Sequence, residues 1–523
     1  MKMKKKKVSV LKITIVLMVI NLISKFVGML REVFLAKYYG ASMYTDAYII
    51  ANNIPIIIFG VMGTALSSTF IPIYSEINSK DKDGKLALNF INNVLSLVMI
   101  FCGIIAIIGE VFTKETVLIF AKGFEGEILD YSIQFSKILM PCIFAIAIMN
   151  VFVGFLQISG RYTVISSVTI PCNLIIVISL MLSYKFDNIY IMILGTLFGN
   201  ITQVVYLYPF AKKEKFKFKF NFSVRNIYIK RMMSMITPVF LGESVNELNK
   251  IIDKTLVSGF DTGCISSLNY ADKLMGLFVG VIISSIPTLV YPKFSKLAAE
   301  KQYKSLEQIL SVTLNGIIIL CIPLTAIILV LSPIIVEVVF QRGTFDANDT
   351  ISTYHALNCY IIGFLSISLR DILIKFFYSL KDTKTPMING VICSGFNIVL
   401  SILLINYFGY KGVALATSIA SILCVILLIR KVGCKFKNIS YSELFMTSVQ
   451  ALMATIVPII ILKVFYDYLL NNILSMYIKI IILFFVSILI LLIYILNMYL
   501  LRNKEIEILI KEVKIYLKQK VFD

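Results

Sequence analysis

Long apolar segments recur between residues 8 and 502 of this chain, separated by short polar connections. A helix needs roughly 20 mainly apolar residues to cross the hydrocarbon core of a bilayer, and the segments reach that length. The composition agrees, because 58% of the residues are hydrophobic, only 15% are charged and the mean hydropathy is +0.88. The pattern predicts an all-α polytopic membrane protein.

Fourteen transmembrane helices account for these segments. The predicted ranges are residues 8–30, 45–74, 86–109, 131–158, 163–184, 188–210, 233–258, 269–292, 308–340, 351–379, 386–408, 411–429, 442–469 and 474–501. The first range follows a basic start but has no small-residue cleavage site after it, so we interpret it as a retained helix rather than a signal peptide.

The basic residues are distributed unevenly between the two sides of these helices. Placing both termini in the cytoplasm puts most Lys and Arg on the same side, including the connection 211–231 with eight bases and one acid. The formal net charge of +20 is therefore explained by topology, and no nucleic-acid partner is expected. We predict a multi-pass protein of the cell membrane with both termini cytoplasmic.

An internal repeat relates the two halves of the chain. Residues 51–75 match residues 271–295, with identities at Ala51/Ala271, Gly60/Gly280, Val61/Val281, Pro72/Pro292 and Ser75/Ser295. The second copy comes six helices after the first, so the two copies run in the same direction and the repeat is parallel, as in transporters whose substrate site lies between two halves. The predicted organisation is an N-lobe (1–210, helices one to six), a basic cytoplasmic linker (211–231), a C-lobe (232–430, helices seven to twelve), helices thirteen and fourteen (431–501) and an amphipathic cytoplasmic tail (502–523).

Charged residues inside the apolar segments need a physical explanation. Lys25, Arg31 and Asp46 lie in or beside the first two helices, where a charge at the bilayer centre costs at least ~2.5–3.5 kcal/mol. Such residues usually face a partner or a water-filled cavity. The sequence therefore predicts a polar cavity, lined with positive charge, inside a helical bundle.

Several motifs in this chain resemble those of MurJ/MviN-type lipid II flippases, members of the multidrug/oligosaccharidyl-lipid/polysaccharide exporter superfamily. They occur in family order over most of helices one to twelve. The motifs are Ser24-Lys-x-x-Gly28-x-x-Arg31-Glu32, Tyr39-Gly40-Ala41, Thr45-Asp46-Ala47-Tyr48, Ile54-Pro55, Tyr270-Ala-Asp-Lys-Leu-Met275, Gln341-Arg-Gly-Thr-Phe-Asp346-Ala347 and Lys381-Asp-Thr-Lys-Thr-Pro386.

The resemblance implies transport of undecaprenyl-pyrophosphate-linked sugar-peptide, lipid II, from the inner to the outer leaflet by alternating access. It also implies a clamp for the pyrophosphate made by arginines of helices one, two and eight. Position 31 has the arginine that the family pattern places there. Lys25 and Lys273 stand where arginine is usual, and Phe59 occupies the position of the helix-two arginine.

Two further substrate-binding residues are predicted. Asp46 is interpreted as a gate that pairs with Arg31 in one state, although an anion at a helix N-terminus or a structural partner of Arg31 would also explain it. Lys273 has the alternative role of pairing with neighbouring Asp272. Lys375 in helix ten is a secondary candidate for the headgroup path, beside the self-neutralising pair Arg370–Asp371.

A sodium site is implied by the same resemblance. Asp253, Asn397, Val413 and Thr417 fall at the places where some family members bind sodium, and they supply the hard oxygen ligands that an alkali cation needs. Ser401 stands where a second acid is usual, so the site has lost one charge. Nine scattered cysteines without a C-x-x-C pair predict neither a disulfide framework nor a zinc site, and no other cofactor is expected.

Alternative functions remain open at the level of the sequence. They are a flippase for another polyprenyl-linked oligosaccharide, a drug exporter, a membrane-embedded glycan-lipid enzyme and a non-transporting scaffold. An exporter of cationic drugs would be expected to use acids, whereas the first-lobe charges are mainly basic. An enzyme would need a catalytic constellation that the longest extracytoplasmic loop, about residues 110–130, does not contain. We therefore expect a transporter rather than an enzyme, a monomer, with membrane lipids as its other partners.

Overall fold

The computed structural model describes residues 10–80, 85–223, 226–280, 285–436, 441–472 and 476–507. These residues form α-helices joined by short connections, and the described part contains no strand. Most of the amphipathic tail predicted for residues 502–523 lies outside the described residues, as does the basic stretch 1–9. The helices are α1 (Val10–Tyr39), α2 (Met43–Lys80), α3 (Lys85–Val111), α4 (Thr113–Phe120), α5 (Gly126–Leu139), α6 (Cys142–Ile158), α7 (Tyr162–Ser167), α8 (Thr169–Lys185), α9 (Tyr190–Lys213), α10 (Ile227–Val257), α11 (Cys264–Phe278), α12 (Ser285–Ala299), α13 (Tyr303–Phe340), α14 (Ala347–Ile361), α15 (Phe364–Ser379), α16 (Lys384–Phe408), α17 (Lys411–Lys435), α18 (Tyr441–Asn472) and α19 (Met476–Leu500).

Each predicted span coincides with one helix or with two consecutive helices. Eight helical segments of the described chain are long and apolar enough to cross a membrane, and two bent pairs, α5–α6 and α14–α15, raise the number to ten. The predicted spans outside this set correspond to α1, α2, α10 and α11–α12, which carry several of the embedded charges. The multi-pass all-α architecture is confirmed, whereas the number fourteen stays a prediction.

The chain forms two compact units. The first comprises residues 1–270 and 340–349, and the second comprises residues 271–339 and 350–523. The short excursion of 340–349 into the first unit brings the Gln341–Ala347 motif close to the α1–α2 turn. The predicted lobes, linker and terminal pair stay a prediction.

The core of the first unit is built around α2. Large apolar side chains of α2, including the fully buried Phe59 and Phe70, pack with α3, α6 and the start of α10. Phe70 stacks on Phe90 of α3 at a centroid distance of 5.7 Å. Phe59, which stands where the family resemblance places an arginine, is therefore a core residue of this unit.

The second unit has one large apolar core and one smaller one. The large core joins α12, α13, α15 and α17, with Phe294 and Phe376 in edge-to-face contact at 5.5 Å. In the smaller core, Leu462 of α18 and Ile490 of α19 pack against Ile327 of α13. Many other side chains of α18 and α19 are apolar and exposed, as expected for helices whose outer faces lie in lipid.

Helices α8 and α9 approach each other closely at Gly195. A Cβ atom built on Gly195 would lie 2.0 Å from the side chain of Ser179 on α8. Ser179 is held in place because its hydroxyl donates to the carbonyl of Ile176 at 2.8 Å. The packing of these two helices therefore requires a residue without a side chain at position 195.

We predict that Gly195→Ala destabilises the protein by about 1–3 kcal/mol, because overpacking forces the two helices apart. The melting temperature of the purified protein in detergent checks this. The double variant Gly195→Ala/Ser179→Gly should recover most of the lost stability, because it removes the Ser179 side chain with which the new Cβ atom would clash. Gly390→Ala is the control, because nothing lies within 4 Å of a Cβ built there. An unchanged melting temperature for Gly195→Ala would contradict the packing.

Candidate functional site

The turn between α1 and α2 is organised by Gly40. This residue has φ +61° and its N–H donates to the carbonyl of Ala36 at 2.8 Å, so it ends α1 with the left-handed conformation typical of helix C-termini. Its own carbonyl accepts hydrogen bonds from the hydroxyls of Thr45, at 2.9 Å, and Tyr270, at 3.1 Å. The Tyr39-Gly40-Ala41, Thr45-Asp46 and Tyr270–Met275 motifs therefore meet at one carbonyl.

Asp46 binds the first turn of α11. Its buried carboxylate accepts the backbone N–H groups of Gly263 and Ser266, both at 2.7 Å, and also the hydroxyl of Ser266. These N–H groups lie at a helix N-terminus, where they have no intrahelical partners and where a negative charge is stabilised by the helix dipole. Asp46 is thus an anchor that joins α2 to α11 within the first unit.

The Gln341–Ala347 motif docks on the same turn. The N–H of Thr344 donates to the carbonyl of Lys37 at 3.0 Å, and a Cβ built on Gly343 would lie 2.0 Å from that same oxygen, so only glycine fits there. Asp349 follows the motif, and its carboxylate accepts the N–H of Ala41 at 3.0 Å. The loop therefore satisfies backbone groups of the α1–α2 turn that α1 and α2 themselves leave free.

Arg31 lies at the centre of a second polar cluster, on the part of α1 that precedes the α1–α2 turn. Its guanidinium contacts the carboxylate of Glu32 at 2.5 Å and donates to the side-chain oxygen of Asn173 on α8 at 3.2 Å. Asn269 of α11 donates to the other oxygen of Glu32 at 3.3 Å. The Glu32 side chain is only 3% exposed, whereas that of Arg31 is 25% exposed. The cluster is therefore a buried carboxylate that holds a partly accessible guanidinium.

The hydrogen bonds that Arg31 makes to Glu32 and Asn173 use two of the five N–H donors of a guanidinium. A planar fork of this kind matches the oxygens of a phosphate. The buried carboxylate lowers the cost of keeping Arg31 charged among apolar helices. The geometry is suited to hold a cation ready for an anionic ligand.

The predicted gate pair of Asp46 with Arg31 is not the pairing that this structure holds. The carboxylate that contacts Arg31 is that of Glu32, whereas the carboxylate of Asp46 accepts hydrogen bonds from the N-terminus of α11. Lys25 lies on an exposed part of α1, and its neighbour Ser24 donates to the carbonyl of Ser166 at 2.8 Å. Among the predicted substrate-binding residues of the first unit, only Arg31 therefore lies in a polar cluster with unused donors.

The other predicted cations belong to the second unit. Lys273 is exposed on α11. Lys375 is exposed on α15, and its ammonium lies 5.7 Å from the ring centroid of Tyr291 and 5.9 Å from that of Tyr378. Arg370 and Asp371 are 4.0 Å apart, so they partly neutralise each other as predicted. The Lys375 ammonium therefore lies near two aromatic rings.

Three of the predicted sodium ligands lie together in the second unit. Asn397 of α16 donates to the hydroxyl of Thr417 at 3.2 Å, and Thr417 donates to the carbonyl of Val413 at 3.1 Å. The hydroxyl of Ser401 donates to the side-chain oxygen of Asn397 at 3.1 Å. Asp253 lies on α10, which belongs to the first unit. The oxygens of Asn397, Val413 and Thr417 are of the hard type that alkali cations prefer. Among the described residues, no three His, Cys, Asp or Glu side chains cluster in a way that could hold a metal ion.

The Lys381–Pro386 motif has a structural role at the start of α16. Asp382 accepts the N–H of Thr385 at 3.0 Å and its hydroxyl at 2.7 Å, and it also pairs with Lys435. Partial burial opposes ionisation, but the hydrogen bonds from Lys435 and Thr385 outweigh it and lower the pKa of Asp382 to about 2. This carboxylate therefore stays charged over the physiological range and stabilises the helix N-terminus.

Three residues of the Arg31 cluster are not among the predicted site residues: Glu32, Asn173 and Asn269. Glu32 was visible beside Arg31, and an acid next to a base inside an apolar helix is a signal for a buried ion pair. Asn173 is a polar residue in an apolar stretch and Asn269 lies in a more polar one, but which charge each of them contacts depends on packing between helices that are distant in sequence.

If Asp46 is an anchor, Asp46→Ala leaves the N–H groups of Gly263 and Ser266 without acceptors, which costs about 1–3 kcal/mol for each buried group. We predict a lower melting temperature and lower abundance. Ser266→Ala removes only one hydroxyl bond and should cost less. An Asp46→Ala protein that keeps its melting temperature but loses transport would instead support the gate.

Comparison with known proteins places this arrangement in a family. The family model for lipid II flippase MurJ matches residues 35–486. A protein named probable lipid II flippase MurJ from Buchnera aphidicola subsp. Baizongia pistaciae is 31% identical over 428 residues, which cover 81% of this chain and 83% of the relative. The protein of the same name from Buchnera aphidicola subsp. Acyrthosiphon pisum is 30% identical over 462 residues, covering 87% and 90% of the two chains.

Solved structures agree with this assignment. A lipid II flippase MurJ in an inward closed conformation superposes with a TM-score of 0.79 at 26% identity, covering 92% of this chain and 98% of that chain. Multidrug-resistance transporters of the MATE family share the fold at 14% identity. The inward-facing example has a TM-score of 0.66, and the match covers 82% of this chain and 99% of that chain. The outward-facing example has a TM-score of 0.58, and the match covers 81% of this chain and 95% of that chain. The relatives named flippases are transporters rather than enzymes, and this chain belongs to the lipid II flippase MurJ family.

Proposed function

We propose that this protein moves lipid II, a polyprenyl-pyrophosphate-linked sugar-peptide, from the inner to the outer leaflet of the cell membrane for cell-wall synthesis. The observation that carries the proposal is the Arg31 cluster in a chain of the MurJ family. A headgroup with a pyrophosphate loses its hydration when it passes through the hydrocarbon layer. Fixed cations in a protein cavity replace part of that hydration.

Arg31 is the principal ligand for the pyrophosphate in this proposal. Glu32 and Asn173 hold the guanidinium in place before the substrate arrives, so little side-chain entropy is lost on binding. A pyrophosphate brings more negative charge than Glu32 and accepts the remaining N–H donors. On release, Glu32 again neutralises Arg31, so the cation is never left alone in a low-dielectric site.

Lys25, Lys273 and Lys375 provide further positive charge. Lysine is a point charge without the planar fork of arginine, so these residues attract a phosphate without fixing its orientation. Lys25 and Lys273 replace arginines of the family pattern, and this replacement favours a second candidate, a flippase for another polyprenyl-linked oligosaccharide. Arg31 would bind the phosphate groups of either substrate in the same way.

The movement that we propose is alternating access by a monomer, with both termini in the cytoplasm and membrane lipids around it. The fold supports this proposal because MATE transporters with the same fold have been solved in inward-facing and in outward-facing conformations.

Expression of this chain in a bacterium depleted of its own MurJ should restore growth and outer-leaflet exposure of lipid II. We predict that Arg31→Gln/Glu32→Gln, which removes both charges but keeps two hydrogen-bonding side chains, folds normally and lowers transport at least about tenfold, because a charge-assisted hydrogen bond contributes about 1.5–3 kcal/mol. Surface labelling of lipid II measures transport, and immunoblotting measures the protein.

Two controls separate binding from stability. Arg31→Lys keeps the charge and should retain part of the activity, whereas Arg31→Ala removes the guanidinium that contacts the buried carboxylate of Glu32 and should reduce abundance. Full activity of the double Gln variant would contradict the role of Arg31. Restored exposure of another lipid-linked glycan, but not of lipid II, would support the second candidate.

Sodium is proposed as the coupling ion, bound by Asp253, Asn397, Val413 and Thr417. If so, replacing sodium by choline should lower the transport rate, and Asp253→Asn should lower the rate in sodium to the same level. Thr417→Val, which removes one ligand oxygen with little change of volume, should raise the sodium concentration for half-maximal transport. Sodium-dependent thermal stabilisation of the purified protein provides a readout that does not require transport. Equal rates in sodium and choline, together with no stabilisation, would reject the coupling.

A further inference from the structure

The connection between α9 and α10 contains an alternating sequence. Residues 215–223 read Lys-Phe-Lys-Phe-Lys-Phe-Asn-Phe-Ser, so that lysine and phenylalanine alternate for six residues. In an extended chain, successive side chains point to opposite faces. This segment, which we call the linker strand, would therefore have a phenylalanine face and a lysine face if it is extended.

Hydrogen bonds to α3 establish the extended form. The side chains of Asn92, Asn93 and Ser96 on α3 bond the backbone of every second residue of the linker strand. Asn92 bonds the carbonyl of Lys217 at 3.0 Å and the N–H of Lys219 at 3.2 Å, Ser96 accepts the N–H of Asn221 at 3.0 Å, and Asn93 bonds the carbonyl and N–H of Ser223 at 2.9 Å and 3.0 Å. This register is that of a strand whose partner is a helix surface.

The phenylalanine face begins in the core and ends outside it. Phe216 is fully buried and lies edge-to-face with Phe152 at 5.3 Å. Phe218, Phe220 and Phe222 point to the same side of the strand, yet they are 45%, 65% and 55% exposed. Three consecutive aromatic side chains therefore extend from the membrane-helix core without protein to cover them in the described part of the chain.

The lysine face is also exposed. Lys215, Lys217 and Lys219 make no ion pair with a described acid, because the neighbouring Glu214 is engaged by Arg161 at 2.8 Å. Lys217 and Lys219 therefore place two positive charges along one face of the strand, and Lys215, at φ +65°, adds a third in the turn that ends α9. Charges and aromatic rings are held on opposite sides of a backbone that α3 keeps straight.

We propose that the linker strand is a binding site for the surface of an anionic bilayer. Phe218, Phe220 and Phe222 enter the boundary between headgroups and acyl chains, and the lysines contact phosphates of anionic phospholipids from the plane above. Amphipathic segments with aromatic and basic faces bind such surfaces, with about 1 kcal/mol from each lysine near the surface. This inference goes beyond transport and does not depend on which lipid-linked glycan is carried.

The bilayer fits better than a peptide partner. A peptide could pair with the outer edge of the strand, but it would leave the phenylalanine face exposed to water. That face is continuous with Phe216 and with the core of the helices that cross the membrane, so the hydrocarbon boundary lies on the same side. The charge of the opposite face complements anionic headgroups.

The absence of tryptophan from this sequence allows a direct test. In Phe220→Trp, the introduced indole is the sole tryptophan of this sequence. We expect it to emit at short wavelength in nanodiscs and to be quenched by lipids brominated near the headgroup end of the acyl chain. Lys219→Trp places the same indole on the other face, and it should emit at longer wavelength and be quenched by acrylamide.

The charge preference is tested in the Phe220→Trp background. Brominated phosphatidylglycerol should quench more strongly than brominated phosphatidylcholine at the same mole fraction. Lys217→Gln/Lys219→Gln should reduce this preference by up to about fivefold for each lysine, which corresponds to about 1 kcal/mol. Lys301→Gln/Lys304→Gln, which removes two exposed lysines from the second unit, should leave it unchanged.

Three results would overturn the proposal. The first is equal emission and equal acrylamide quenching for Phe220→Trp and Lys219→Trp. The second is equal quenching by the two brominated lipids. The third is an indole of Phe220→Trp that becomes protected only after a soluble cytoplasmic fraction is added, which would assign the linker strand to a protein partner.

Discussion

The carboxylate of Asp46 holds together the end of the first unit where four sequence motifs meet. It accepts two backbone N–H groups at the start of α11, from residues more than 200 positions later in the chain. Burial of a carboxylate is costly unless hydrogen bonds compensate it, and here the helix N-terminus provides them. The α1–α2 turn, the loop after α13 and the Arg31 cluster all depend on the positions of α2 and α11 that this contact determines.

Polar groups inside the first unit are paired so that one cation stays available. The Glu32 side chain is almost fully buried, whereas part of the Arg31 guanidinium is accessible from outside the cluster. This asymmetry distinguishes the cluster from an ordinary buried ion pair, in which both partners are enclosed. In the proposed function, the same asymmetry lets the protein keep a positive charge in the membrane between substrates.

Much of the fold followed from the sequence, whereas the predicted site residues stay a prediction. The apolar segments, the short connections and the embedded charges predicted a helical membrane protein, and Arg31 was identified as a ligand candidate. The Arg31–Glu32 contact, the close approach of Gly195 to Ser179 and the pairing of Asn92, Asn93 and Ser96 with the linker strand were not predicted. They depend on the register between helices, and apolar periodicity does not specify register when neighbouring helices are apolar on most faces.

The sequence by itself determined that this chain lies in a membrane and that it carries the motifs of a flippase family. It did so because the length and hydropathy of a segment decide whether it can cross the bilayer, whatever its neighbours are. Only the tertiary structure decided which partner each embedded charge has. Asp46 and Arg31 lie in adjacent helices of the sequence, yet Asp46 binds α11 and Arg31 binds Glu32, because hydrogen bonding depends on distances in space of about 3 Å.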